Sequence, residues 1–233
     1  MFTLPHFIWL AIITIIIVAT ITLTKKYKIS HETVAKIVLI IGVVFKIMHV
    51  CLSMIPHDKG GMVIKQNQLD FHLCSIQIYL IIAVNLIKNE NTKNVIKGFM
   101  VPSMTLGALL ALLIPTEGVD ITVPRVWQYM IIHMNLTFYG FYLMLVEKVD
   151  LSFKTYKRNL LILSGCAMMG LTMNSMLAQY NVNYFFLRKP PVDNLPILNL
   201  DNGYFVYLAV LIAIAISLIT IIHLPFMIKK KTA

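Results

Sequence analysis

Lys46, His49, His72, Cys74 and His133 are titratable or nucleophilic side chains set within or beside long apolar stretches. Such residues are costly in hydrocarbon and mark a functional site by default. A cysteine can attack an acyl ester and hold the acyl group as a thioester if an imidazole removes its proton. Basic groups at the same depth favour the thiolate. Lys46 and His49 are three residues apart and project from one helical face. No Asp or Glu lies in the apolar core to neutralise Lys46, so a thiolate, a lipid phosphate, a carbonyl or cavity water must do so. Its rival fate is to snorkel to the surface.

Cys74 sits in the string Phe71-His72-Leu73-Cys74-Ser75. On a helix His72 stands about 200° around from Cys74, whereas Asp70 and Gln77 share its face. The base must then come from another helix, and His133 or His49 is the candidate. Lys46 would stabilise thiolate or phosphate charge, while His49 and His72 position substrate or assist proton transfer. Asn135 and Asn174 join this polar group as substrate-binding candidates. The late string from Asn181 to Pro191 adds Asn183, Tyr184, Arg188 and Lys189, which suit an interfacial loop that grips a phosphate. An interfacial anchor without ligand is the alternative for that loop.

Other readings of the same residues remain open. Cys51 and Cys74 have similar depth and could form a disulfide. His49, His72 and His133 could ligate a metal with water in an open position, but the carboxylates that orient such ligands are scarce. The reading adopted uses neither a metal nor a cofactor. Cys166 reads as an inert small hydrophobe. His6, His31, His57 and His223 fall at helix ends or loops and are expected to be solvated or interfacial. Gly165 and Gly170 are expected to permit close helix packing. Asn135-Leu136-Thr137 matches a glycosylation acceptor but lies inside a span.

The elements that must carry these residues follow from composition. The 233 residues are 58% hydrophobic and 13% charged, about half the usual charge of a soluble domain. Mean hydropathy is +0.79. Five acid-free and Lys/Arg-free runs reach the ~20 residues an apolar helix needs to cross hydrocarbon, and none alternates as a barrel strand would. The expected fold is all-α: one transmembrane domain over 1–233, a bundle of seven helices at about 5–24, 33–55, 69–87, 95–115, 126–146, 159–178 and 204–228. The first span lacks the basic leader and small-residue cleavage site of a signal peptide and is expected to be retained.

The net charge of +10 lies in short loops, which fits orientation by basic residues and contact with anionic lipid, with no nucleic-acid motif. Fourteen Lys and Arg fall on one side (25, 26, 28, 36, 88, 93, 97, 148, 154, 157, 158 and 229–231) against five on the other (59, 65, 125, 188 and 189). This places the C-terminus in the cytoplasm and the N-terminus outside, which demands an odd number of spans. At ~1.5 Å per residue, the candidate residues then share a layer roughly 5–12 Å below the outer surface. The cytoplasmic halves are expected to hold nothing comparable.

At these strings the chain resembles the YwaF-type bacterial integral membrane family, which looks related to eukaryotic transmembrane protein 164. Lys46, His49, Phe71-His72-Leu73-Cys74-Ser75, His133, Asn181-Val182-Asn183-Tyr184 and Leu187-Arg188-Lys189-Pro190 carry the resemblance. Family members commonly have Pro-Leu before His-Leu-Cys and Gly-Thr before Asn-Tyr, where this chain has Asp70-Phe71 and Asn181-Val182. The resemblance implies lipid acyl chemistry through a cysteine that maps onto Cys74. It also implies an architecture similar to the androgen-induced-gene-type lipid hydrolases.

The combined expectation is a multi-pass cell-membrane acyltransferase or hydrolase acting on phospholipid acyl esters in the outer leaflet. Its partners would be membrane phospholipids rather than nucleic acid. The rival classes are a transporter, a lipid-binding assembly factor and a histidine-metal membrane hydrolase. Neither an inverted repeat nor paired broken helices, the marks of many transporters, is visible in the sequence.

Overall fold

The computed structural model describes residues 2–56, 60–69, 71–192 and 195–229. His57, Lys59, Asp70, Lys230 and Lys231, used in the sequence reading, lie outside the described residues. Among the described residues there are seven long helices: α1 (Leu4–Lys26), α2 (His31–Ser53), α3 (Leu73–Leu86), α4 (Glu90–Leu113), α5 (Pro124–Leu145), α6 (Phe153–Met176) and α7 (Tyr204–Lys229). A two-stranded antiparallel hairpin, β1 (Met54–Pro56) with β2 (Met62–Ile64), and a 3-10 turn at Gln66–Gln68 connect α2 to α3. Two further 3-10 turns, Ala178–Tyr180 and Tyr184–Phe186, follow α6.

Local chemistry sets the ends. The Ser30 hydroxyl accepts the Thr33 N–H at 3.2 Å to open α2, and Asn89 Oδ1 accepts the Thr92 N–H at 3.0 Å to open α4. Each satisfies one of the donors a helix start leaves unpaired. Pro5 and Pro124 occupy first-turn positions in α1 and α5, where a missing N–H costs nothing. Pro102 instead lies inside α4, and beyond it the helix widens into a π turn at Ser103–Gly107. Proline removes a rung of the ladder, and π turns accommodate such breaks. Gly140 of α5 abuts this turn: a Cβ there would stand 2.5 Å from Thr105 Oγ1 and 2.7 Å from its backbone nitrogen.

The hub is α5, packed against α1, α2 and α4 and buried along most of its length. Val38, Ile81, Met100, Met104, Leu136 and Tyr139 form the heart of the main core. Outward faces differ. The most apolar windows of α1, α2 and α7 are only 22%, 22% and 17% buried, whereas that of α4 is 56% buried. Helices so apolar and so little covered find their solvent in lipid. Among the described residues four helices, Leu4–Lys26, His31–Ser53, Glu90–Leu113 and Tyr204–Ile228, are long and apolar enough to cross a membrane.

Several expectations change. α3 starts at Leu73 rather than 69, because the preceding residues form the Gln66–Gln68 turn and His72 is extended, with φ −93° and ψ 149°. At 14 residues it covers only about 21 Å, short of a full crossing. α6 begins at Phe153, six residues before the predicted 159, so its basic first turns extend a helix that hydropathy alone had ended.

His6 and His223 are fully buried rather than solvated. One nitrogen of His6 contacts the Leu112 carbonyl at 2.9 Å. His223 donates from Nδ1 to the Leu151 carbonyl at 2.9 Å and accepts from Asn159 Nδ2 at 3.0 Å. The lysine-rich end also carries a polar cluster that the sequence reading did not anticipate. Glu147 lies 3.4 Å from His31 Nδ1 and 3.9 Å from Lys97 Nζ, and accepts the Tyr142 hydroxyl at 3.2 Å. Gly165 faces open space rather than a neighbour, while Gly170 does sit against Phe185 and Leu187.

Candidate functional site

The C-terminal half of α2 brings Lys46 and His49 to one end of the bundle, both half-buried. With α2 ending at Ser53, Lys46 lies about two turns from the helix end. His49 Nε2 donates to the Gln68 carbonyl at 3.1 Å, so in the neutral ring Nδ1 keeps the lone pair. Arg125, at the start of α5, fixes the partner of this bond. Its guanidinium donates to Ser53 Oγ at 3.0 Å and to Gln68 Oε1, and its Nε lies 3.5 Å from the Glu117 carboxylate. Ser53 Oγ in turn donates to the His49 carbonyl at 2.6 Å. One planar fork thus ties the end of α2, the Gln66–Gln68 turn and the start of α5.

His72 caps α3 from an extended backbone, so the helical-wheel separation expected between it and Cys74 does not apply. Its ring packs edge-on to Tyr184, with centroids 5.5 Å apart, and lies 5.4 Å from the Phe186 centroid. Tyr184 is fully buried and held from both sides. Its N–H donates to Asn174 Oδ1 at 2.7 Å, its carbonyl accepts Asn174 Nδ2 at 3.0 Å, and its hydroxyl donates to the Gln66 carbonyl. Asn174 and Tyr184, expected to bind substrate, are therefore engaged in bracing the late loop against the turn before α3.

Cys74 occupies the first turn of α3, half-buried, and is a free thiol. On α5, His133 Nδ1 donates to the Tyr129 carbonyl at 2.7 Å. A carbonyl only accepts, so the neutral ring carries its lone pair on Nε2, the form a general base needs. The His133 ring lies on Tyr129, with centroids 4.2 Å apart. Tyr129 donates its hydroxyl to the Ala111 carbonyl at 3.0 Å. Its phenol lies within electrostatic reach of the Cys74 thiol, and His133 lies within such reach of His72. Tyr129 thus lies against His133 and within electrostatic reach of Cys74, and the sequence reading did not single it out. Its signal was the four-residue spacing to His133 on one helical face.

Gln77 shares the Cys74 face one turn further along α3, as expected. It is fully buried, and its Nε2 donates to Ser103 Oγ in the π turn at 3.0 Å. Among the described residues its buried Oε1 has no partner, which makes it an acceptor suited to a hydroxyl.

Other candidates lie apart. Asn135 points its Nδ2 at the Val38 carbonyl, 3.0 Å away, on a different face of α5 from His133. Asn183 closes its own loop: Oδ1 accepts the N–H groups of Arg188 and Lys189 at 3.0 and 3.2 Å, and Nδ2 donates to the Lys189 carbonyl at 2.8 Å. Arg188 and Lys189 are left exposed, with the Arg188 guanidinium donating to the Val182 carbonyl at 3.1 Å. Cys51 is exposed and also a free thiol, which corrects the disulfide alternative. Among the described residues no group of three His, Cys, Asp or Glu side chains is arranged to hold a metal, so His49, His72 and His133 do not form the triad considered above.

The sequence model of the TMEM164 family matches residues 1–223. The chain belongs to this family. No curated protein and no solved structure matches it. Family membership joined to the apolar helices makes this a multi-pass membrane protein.

Proposed function

We propose that this TMEM164-family protein is a membrane acyltransferase or hydrolase that moves phospholipid acyl groups through Cys74. The observation that carries the reading is His133: its Nδ1–H is committed to the Tyr129 carbonyl, and its ring lies on Tyr129, whose phenol is within electrostatic reach of Cys74. As sulfur attacks the ester carbonyl, the thiol proton passes to His133 Nε2. Collapse of the tetrahedral intermediate breaks the ester C–O bond, and the leaving alkoxide takes that proton from His133. A lysolipid hydroxyl or water, deprotonated by His133, then attacks the thioester and releases Cys74, which recovers the proton.

Lys46 supplies positive charge at this end of the bundle, and His72 and His49 position substrate or assist proton transfer. Arg188 and Lys189 take the headgroup phosphate on the loop that Asn183 pins. Asn174 and Tyr184 hold the wall behind His72, and Asn135 holds α5 to α2. We further propose that all seven helices traverse a cell membrane, α3 with help from the hairpin and turn before it, with the N-terminus outside and the site in the outer leaflet. The basic residues at the opposite end support that orientation. The test is acyl release or transfer from a radiolabelled phospholipid by the purified chain, with Cys74→Ala and Cys74→Ser beside it. Both variants are expected to be inactive. Activity retained by Cys74→Ala removes the thioester mechanism.

A further inference from the structure

Two apolar cavities of about 280 and 110 Å³ lie side by side and share Ile16, Ile41 and Met134. Together they form one slot along α1, α2 and α5. On α1 it runs from Trp9 to Thr20, roughly 16 Å of helix axis. It exists because α1 packs on α5 far more than on α2, leaving a gap between the first two helices. The slot opens sideways, where Ile12 and Ile16 are 46% and 42% exposed. Two of its polar neighbours are satisfied, Thr20 by the Ile16 carbonyl at 2.7 Å and Asn135 by the Val38 carbonyl at 3.0 Å; at the tryptophan end the buried Trp9 Nε1 has no partner among the described residues. Away from that indole the slot makes no hydrogen-bond demand, and such an apolar space does not hold ordered water. In a bilayer it takes hydrocarbon.

The ends differ in charge. One is closed by Trp9 and Trp127 in an edge-to-face pair, with centroids 4.7 Å apart. At the other, α1 finishes in Lys25 and Lys26, with Lys28 in the turn beyond, and α1 carries no acidic residue. An apolar slot with lysines beyond that end of α1 has the pattern of a phospholipid: chain in the slot, phosphate on amines that reach round the helix end. The slot is separate from the reaction site, because Met130, Met134 and Phe138 line it from one side of α5 while Tyr129 and His133 lie well around that helix.

We propose that the α1–α2–α5 slot holds one acyl chain of an anionic phospholipid whose phosphate sits on Lys25, Lys26 and Lys28, as a resident lipid distinct from any substrate. The test uses the purified full-length chain in phosphatidylcholine vesicles carrying trace chain-spin-labelled phosphatidylglycerol or phosphatidylcholine. The electron paramagnetic resonance spectrum gives the motionally restricted fraction of each. The expected preference for phosphatidylglycerol is on the order of tenfold, from the attraction of three lysines for anionic lipid. Replacing all three lysines by glutamine abolishes it. Ile41→Trp, which fills the slot, reduces restriction of both lipids, whereas Ile15→Trp, on a face that is 68% exposed, leaves both unchanged.

Met134→Phe serves as a second filling variant should Ile41→Trp lose helicity. Equal restriction of the two probes in the wild type overturns the proposal. So does a preference that survives either the lysine changes or the filling. The Cys74→Ala chain is expected to keep the preference in full, so a failure here is distinct from a failure of the thioester mechanism.

Discussion

Replacing Gly140 by alanine tests whether the contact between α5 and the π turn of α4 sets the geometry around Cys74. The added methyl would meet Thr105 Oγ1 at 2.5 Å, the Thr105 nitrogen at 2.7 Å and Met104 Cβ at 3.0 Å. Two of these belong to the backbone or the base of a side chain, so no far end of a flexible group can swing aside. The helices must part by roughly half an ångström or more, and overpacking of this kind costs about 1–3 kcal/mol. For a chain of this size that is a fall in melting temperature of roughly 2–12 °C. The π turn receives Gln77 from α3 through Ser103, so the strain reaches the helix that starts with Cys74.

The assay is thermal unfolding in detergent, read by circular dichroism, together with the rate of Cys74 maleimide labelling in a chain lacking Cys51 and Cys166. Gly165→Ala is the control, because a Cβ there meets nothing within 4 Å. It is expected to leave the midpoint unchanged or raise it slightly through helix propensity. Equal midpoints for Gly140→Ala and the wild type, with unaltered labelling, would refute the reasoning.

Arg125→Lys keeps the charge but cannot reach Ser53, Gln68 and Glu117 together; it is expected to cost about 1–3 kcal/mol in the same melt. A midpoint within error of the wild type would contradict that role. Asn174→Ala removes the acceptor of the buried Tyr184 N–H and one of the two donors to its carbonyl, which keeps the Leu187 N–H, so a loss of about 1–3 kcal/mol is expected. It should also free the His72 ring, seen as new exchange broadening in the histidine resonances, whereas sharp unshifted signals would count against the brace. His133→Gln is expected to slow acyl transfer by about 10²–10⁴-fold with the fold intact. A rate within threefold of the wild type would move the base elsewhere.

The helices were legible because an apolar run of the right length has few other fates. Their ends were less so. Asn89, Glu90 and Thr92 spell the start of α4, but the apolar run begins later, and the reading followed hydropathy. The start of α6 was missed for the same reason, since Lys154, Lys157 and Arg158 read as loop while forming helix. Leu69 and Phe71 continue the apolar pattern of α3, and nothing local reports that the chain is extended at His72. Burial of His6 and His223 depends on carbonyls far away in sequence, Leu112 and Leu151. Cys74 and His133 were singled out by residue type alone, as groups with evident chemistry in or beside apolar stretches. Gln77 and Arg125 were not placed in the site, because each gains its role only from partners outside its own helix; Tyr129 was not either, although its partner His133 lies four residues along the same helix.

The most direct measurement is the intact mass of the purified chain after incubation with a phospholipid bearing an isotopically labelled acyl group. The account predicts one acyl increment, mapped by proteolysis to Cys74, released by neutral hydroxylamine and absent from Cys74→Ala. Product formation with no adduct at any time point, or an identical adduct on the alanine variant, would contradict it.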